Sequence, residues 1–203
     1  AIESGKGKYA DDEPFIVPGG AQNGFNNKLF PQDVRLLSRT RKAWPLLHAD
    51  GSITTQVIPC VRRAKNDKSY TDSYRLGAIK STIRTYLNSS AVRTTEDFGY
   101  DEDSMYGIDW FSSYNCTPGN VTGVSAPLLV MGMTAGYEFV AAEMIYEMAE
   151  KCTDKTIAFV EGANHGYITA KECEAYPGQF GDTLKTLYDY VDQWLSQKGR
   201  FVG

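Results

Sequence analysis

The chain contains two histidines in 203 residues, and their surroundings differ. His165 lies in Glu161-Gly162-Ala163-Asn164-His165-Gly166-Tyr167, directly after the apolar run Thr156-Ile157-Ala158-Phe159-Val160. Small neighbours let another group approach an imidazole closely, and an imidazole changes charge near neutral pH. Type and setting together therefore suit proton transfer. His48, in Leu47-His48-Ala49-Asp50-Gly51, lacks that setting and reads as an exposed turn residue. Thr134, in Gly132-Met133-Thr134-Ala135-Gly136, is the hydroxyl that sits between an apolar run and a helical stretch.

Four cysteines, Cys60, Cys116, Cys152 and Cys173, form no CxxC pair, and histidine is too scarce to complete a zinc finger. No structural zinc site and no other cofactor site is expected. Three N-x-S/T sequons begin at Asn88, Asn115 and Asn120. Sequons with an even cysteine count point to a secreted glycoprotein; free thiols and unused sequons in a cytoplasmic protein are the competing reading. In an oxidising compartment, strand geometry disfavours Cys152–Cys173 and leaves Cys116–Cys152 and Cys60–Cys173 as pairings.

Positioning elements follow from pattern. Residues 1 to 124 are irregular, polar and turn-rich, and residues 125 to 203 alternate between strand and helix patterns. In the first part, Pro31 opens a helical stretch to about Lys42, and Ser52 to Val61 reads as a strand or arm. Asp72 caps a helix to about Asn88 with Leu76, Ile79, Ile83 and Leu87 on one face. Arg93 to Thr122, with its acidic run Glu96, Asp97, Asp101, Glu102 and Asp103, reads as loop.

In the second part, Ala126 to Met131 is continuously apolar, as a strand buried on both faces should be. A helix over Glu138–Lys151 presents Phe139, Ala142, Ile145 and Ala149. Thr156–Val160 is the second buried strand. Asp182 caps a last helix, Thr183–Lys198, with Leu184, Leu187, Val191, Trp194 and Leu195 in its stripe and Gly199 at its end. Strand, helix, strand at this spacing is a βαβ unit with parallel strands, and the fold class is α/β. Ligands in such sheets bind beyond the carboxyl ends of the strands, where Gly132–Glu138 and Gly162–Tyr167 lie.

Residues 126 to 197 resemble the C-terminal portion of the α/β-hydrolase superfamily. The resemblance is carried by Ala126-Pro127-Leu128-Leu129-Val130-Met131-Gly132, by Phe159-Val160-Glu161-Gly162-Ala163-Asn164-His165 and by the helix after Phe180. It implies the C-terminal part of a hydrolase parallel sheet, with residues 1–124 as an irregular, partly helical cap or lid. It makes His165 the catalytic base and Glu138, the nearest carboxylate in the turn after the first strand, its orienting acid, with Glu161 and Asp109 as alternatives. It also requires a Gly-x-Ser-x-Gly elbow. The five glycine pairs at that spacing centre on Gln22, Val121, Thr134, Asn164 and Phe201, none of them serine. Thr134 is disfavoured as a substitute, because the family's chain order of nucleophile, acid, histidine leaves no room for it.

The expected function is therefore the C-terminal fragment or subunit of a serine hydrolase, cleaving an ester, amide or related bond. Its partner would be the N-terminal segment or chain of the same hydrolase, its ligand a small-molecule substrate, and the two-chain unit is compatible with homo-oligomerisation. The competing reading is an inactive binding protein on the same scaffold, using Tyr70, Tyr74, Tyr106, Trp110, Phe111 and Tyr114. A net charge of −4 without a basic block argues against nucleic acid. The apolar run Ala126–Met133 is too short to span a membrane. No apolar signal region is expected in Ala1–Asp12. Neither GxGxxG nor a Walker pattern occurs, which removes the common nucleotide-binding loops.

Overall fold

The computed structural model describes residues 12–18, 33–64, 78–136 and 139–201. The chain divides into two compact units, Ala1–Gln32, Ala64–Phe98 and Gly107–Asn120 in the first, and Asp33–Arg63, Gly99–Tyr106 and Val121–Gly203 in the second.

In the first unit, β1 (Pro14–Pro18) pairs antiparallel with a later strand, Ala78–Thr82, while β2 (Arg39–Leu47) and β3 (Ile53–Pro59) belong to the second unit. Ala78–Thr82 is β4, and it runs directly into helix α1 (Ile83–Ser89). Thr82 caps that helix, its side chain accepting from the Thr85 N–H at 3.2 Å. Of the expected helix from Asp72, the described residues 78–82 are strand and Ile83–Ser89 are helical. Asp72 and Leu76 lie outside the described residues, and Ile79 lies in a strand because β1 supplies a pairing edge there.

Two more strands, β5 (Arg93–Tyr100) and β6 (Met105–Asp109), pair where a loop is expected. Threonines and aromatics favour strand in this segment. The acidic residues divide between the strand and its turn, where the Asp101 carboxylate accepts from the Asp103 and Ser104 backbone N–H groups at 3.0 Å. A short helix, α2 (Thr117–Asn120), ends the first unit.

The second unit is mixed α/β, with a mostly parallel sheet. After α2 come β7 (Leu128–Met133), α3 (Phe139–Met148), β8 (Lys155–Val160) and α4 (Thr183–Leu195). The sheet order is β3-β2-β8-β7. β7 and β8 run parallel from Leu128↔Lys155 to Met133↔Val160, as the strand-helix-strand spacing predicts. β2 adds parallel to the other edge of β8 through Leu46↔Phe159 and Leu47↔Val160, and β3 folds back antiparallel on β2. The segment predicted as a helix to Lys42 is instead a turn over residues 34–37 followed by β2; Pro31 lies outside the described residues.

β8 divides the core by its period-two alternation. Ile157 and Phe159 face α3, with Phe139, Val140, Ala142, Val130, Leu46 and Ile58. Ala158 and Val160 face α4, with Leu187 and the partly buried Val191. The three-layer stack explains why β7 and β8 are apolar without alternation: both faces are covered. Asp182 caps α4, accepting from the Lys185 N–H at 3.0 Å, as its sequence signal predicts. The buried stripe of α4 is narrower than expected: Thr183, Leu187 and Trp194 are buried, while Leu184 and Leu195 turn outward, 44% and 45% exposed.

β2 is a strand because it is laddered to β3 and β8, and one buried carboxylate completes it where that ladder breaks. The ladder between β2 and β3 breaks its register between Arg39 and Ala43, leaving backbone N–H groups without strand partners. Glu143, fully buried on α3, takes them: Oε2 accepts from Arg41 N–H at 2.9 Å and Oε1 from Lys42 N–H at 2.9 Å. The Trp44 indole N–H donates to Oε1 at 2.8 Å. Buried Thr40 completes the bulge, its hydroxyl donating to Lys42 C=O and accepting from Ile58 N–H.

At the other end of the layer, Arg200 donates from Nε and Nη2 to Asp154 at 2.8 and 2.7 Å, and its guanidinium stacks on Trp194 at 4.1 Å. The hydrogen bonds from Arg200 hold the Asp154 carboxyl below its ordinary range.

Two tests follow from these contacts. Glu143→Ala strands two bulge N–H groups and an indole N–H in the core and should cost about 3–5 kcal/mol in urea unfolding. Glu143→Gln, which keeps one acceptor oxygen, should cost less. The Asp154–Arg200 pair should be visible in a pH series. A depressed native pKa contributes stability above the ordinary carboxyl value of about 4 and loses it as pH falls through the native value. The difference in melting temperature between wild type and Asp154→Asn should be full at pH 7 and should close as the medium is taken toward pH 2.

Candidate functional site

The site begins with strand register. β2 and β8 run parallel and end together at Leu47 and Val160, so the next residues, His48 and Glu161, emerge side by side. The Glu161 N–H donates to Leu47 C=O at 3.1 Å and fixes that exit. The His48 Nδ1–H donates to Glu161 Oε2 at 2.7 Å. Across the β2–β3 turn, Leu46 pairs with Thr54, so Thr54 is a diagonal neighbour of His48 on the same face. The Thr54 hydroxyl and His48 Nε2 are 2.8 Å apart.

His48 is thus not the exposed turn residue its local sequence suggests; its side chain is 23% exposed and Glu161's is 22%. Nothing within Leu47–Gly51 announces the partner, since the carboxylate comes from 113 residues away. The one local sign is the Asp50-Gly51 turn ahead of the strand pattern Ser52–Val61, which places His48 just before a hairpin turn. Asp50 locks that turn. Its carboxylate accepts from the Ser52 hydroxyl and N–H at 2.6 and 2.9 Å, and these bonds lower its pKa. A cavity of about 400 Å³ opens beside His48, between the hairpin residues Ser52 and Ile53 and the α4 residues Lys185, Asp189 and Tyr190.

His165 leaves β8 by a second turn. Gly162 has φ +68°, and a Cβ there would lie 1.9 Å from the Phe180 ring, so only glycine fits. Its N–H donates to Thr134 Oγ1 at 2.8 Å, which joins the loops after β7 and β8. Thr134 is 1% exposed, so its hydroxyl serves as this internal brace and is not presented to a substrate. His165 itself is exposed, in a 3₁₀ turn of His165–Tyr167.

Backbone strain follows at once. Tyr167 has φ +59°, a left-handed conformation costly for a bulky residue. The turn is held by the Tyr167 hydroxyl on Met131 C=O at 2.6 Å and by the Thr183 hydroxyl on Tyr167 C=O at 2.7 Å. The neighbouring Asn164 Oδ1 is buried and accepts no hydrogen bond among the described residues.

Of the carboxylates considered for His165, Glu138 lies outside the described residues. Glu161 is engaged with His48. Asp109 ends β6 in the first unit, where it accepts from the Phe111 N–H at 3.0 Å. Of the aromatics considered for binding, Tyr70 and Tyr74 lie outside the described residues; Phe111 and Tyr114 are 70% and 79% exposed, and Tyr106 is 48% exposed.

All four cysteines are free thiols. Burial pushes the Cys60 thiol up and the Cys173 thiol to about 11, so neither is a thiolate nucleophile at neutral pH. Cys152 is buried and directs its thiol to Ala126 C=O at 2.9 Å. Among the described residues no group of three or more His, Cys, Asp or Glu side chains is arranged to hold a metal ion, and no helix is long and apolar enough to cross a membrane. Comparison of the chain with family models, with curated proteins and with solved structures finds no match to any of the three.

Proposed function

We propose that this chain is the histidine-bearing part of a serine hydrolase of the α/β-hydrolase type, with His165 as general base. The observation that carries the reading is the strained turn that holds an exposed His165 just past the carboxyl end of the buried parallel strand β8. Residues held in sparsely populated backbone conformations cluster where a side chain must be aimed. A histidine at this edge, beside the end of a second parallel strand, is where this sheet architecture binds ligands.

In the reaction, His165 takes the proton of a serine hydroxyl as that oxygen attacks the ester or amide carbonyl, then passes it to the leaving group. The serine belongs to a segment N-terminal to these residues. β7 is an edge of the sheet, and the alternation set by Leu128 N–H on Asp154 C=O turns the backbone groups of Leu129, Met131 and Met133 away from β8, where Met131 C=O accepts from the Tyr167 hydroxyl. No described strand pairs with that side, and an apolar parallel strand is normally covered there by a neighbour. The acid that orients His165 is Glu138. Secretion belongs to the same reading and is supported by the exposed sequon residues Asn115 and Asn120.

A second reading, an inactive binding protein on this scaffold, is favoured by the exposed Phe111 and Tyr114 in the first unit. Mutation separates the two. In the full-length protein, His165→Ala should lower turnover of nitrophenyl esters by about 10⁴-fold, with an unchanged melting temperature because the side chain is exposed. Turnover near the wild-type value would remove His165 from the mechanism and leave the binding reading.

A further inference from the structure

We propose that Glu161, His48 and Thr54 form a second acyl-transfer site, separate from His165, in which the Thr54 hydroxyl is acylated by small activated esters. Two hydrogen bonds in series carry the inference. Glu161 Oε2 lies 2.7 Å from His48 Nδ1, and His48 Nε2 lies 2.8 Å from Thr54 Oγ1. An ionised carboxylate only accepts, so the proton of the first bond is on Nδ1. With Nδ1 carrying the ring's single proton, Nε2 holds the lone pair and the Thr54 hydroxyl donates the second bond. That is the tautomer in which an imidazole draws a proton from an alcohol.

Position and access agree with the protonation. Glu161 and His48 are each held at a strand end by the β2–β8 register, and each side chain is little more than one-fifth exposed. Partial burial strengthens the carboxylate–imidazole attraction relative to water. Thr54, by contrast, is exposed on β3. It is therefore open to a substrate while its hydroxyl remains on the ring. The cavity of about 400 Å³ beside His48 is lined by Leu47, Ile53 and the α4 residues and does not include Thr54, so an acyl donor would reach the hydroxyl from the solvent side of β3.

The step balances without a cofactor. Thr54 Oγ1 bonds to the ester carbonyl carbon as its proton moves to His48 Nε2, and Glu161 stabilises the resulting imidazolium. The bond from the carbonyl carbon to the alkoxy or aryloxy oxygen breaks, and the electron pair leaves with that oxygen, which takes the proton if its basicity requires it. Water then cleaves the Thr54 ester by the same route, returning the hydroxyl and releasing a carboxylic acid.

The probe is 4-nitrophenyl acetate, added to the purified full-length protein and followed by peptide mass mapping of Thr54. The expected result is an acetyl group on Thr54, absent in Thr54→Ala and retained in Thr54→Ser. His48→Ala should slow acetylation of Thr54 by about 10²-fold or more, and Glu161→Gln should slow it by at least tenfold. His165→Ala should leave it unchanged, so that failure of this site and failure of the hydrolase reading are read separately. Circular dichroism checks that each variant is folded; Thr54→Ser, the least disruptive, keeps the test open should His48→Ala unfold. Acetylation confined to lysines or cysteines, or Thr54 acetylation indifferent to His48, would overturn the proposal.

Discussion

The second unit depends on how Glu143 is buried. A charge without solvent is tolerated only where hydrogen bonds replace its hydration, and here the donors are the backbone N–H groups that a bulge in β2 leaves over. Each side needs the other: without the carboxylate the bulge would bury unpaired N–H groups, and without the bulge the carboxylate would lack donors. The contact pins α3 across β2, and β2 in turn delivers Leu46 and Leu47 to Phe159 and Val160 of β8. Register at those two pairs brings His48 to Glu161. A one-residue slip would turn every side chain of β2 to the opposite face and undo the arrangement.

β8 distributes the consequences. Its odd residues pack under α3 and its even residues under α4, so the strand is rigid on both faces and its carboxyl end is a firm point of departure. Two histidines use that edge differently. His48 is drawn inward by a carboxylate. His165 is held outward by a turn whose strain at Tyr167 is supported by Met131 C=O on one side and the Thr183 hydroxyl on the other. Burial of an apolar strand and presentation of a polar group at its end belong to one design, because the core supplies the stability that the strained turn spends.

Periodic, locally decided features were legible in the sequence. β7, β8 and the α4 start at Asp182 follow from apolar runs and a capping residue, and the parallel β7–β8 pairing follows from the helix between them. The N-terminal half was less legible because partners remote in sequence decide it. Nothing in Arg39–Leu47 announces that β3 and β8 will pair with it and that Glu143, about a hundred positions later, will take the N–H groups of its bulge. Likewise the threonines of β5 were masked by an acidic turn, and Ile79 belongs to a strand only because β1 lies beside it. The place of His165, exposed just past the end of β8, was legible from its position after an apolar run. His48 was not, since what distinguishes it is a carboxylate from another strand and a hydroxyl across a hairpin.

The central claim, that the carboxyl edge of this sheet belongs to a serine hydrolase served by His165, is tested most directly by a fluorophosphonate probe on the full-length natural protein. A phosphonylated serine in a Gly-x-Ser-x-Gly peptide outside residues 1–203, formed by the wild type and lost in His165→Ala, is the result the account predicts. No phosphonylated serine, or one formed equally well without His165, would contradict it.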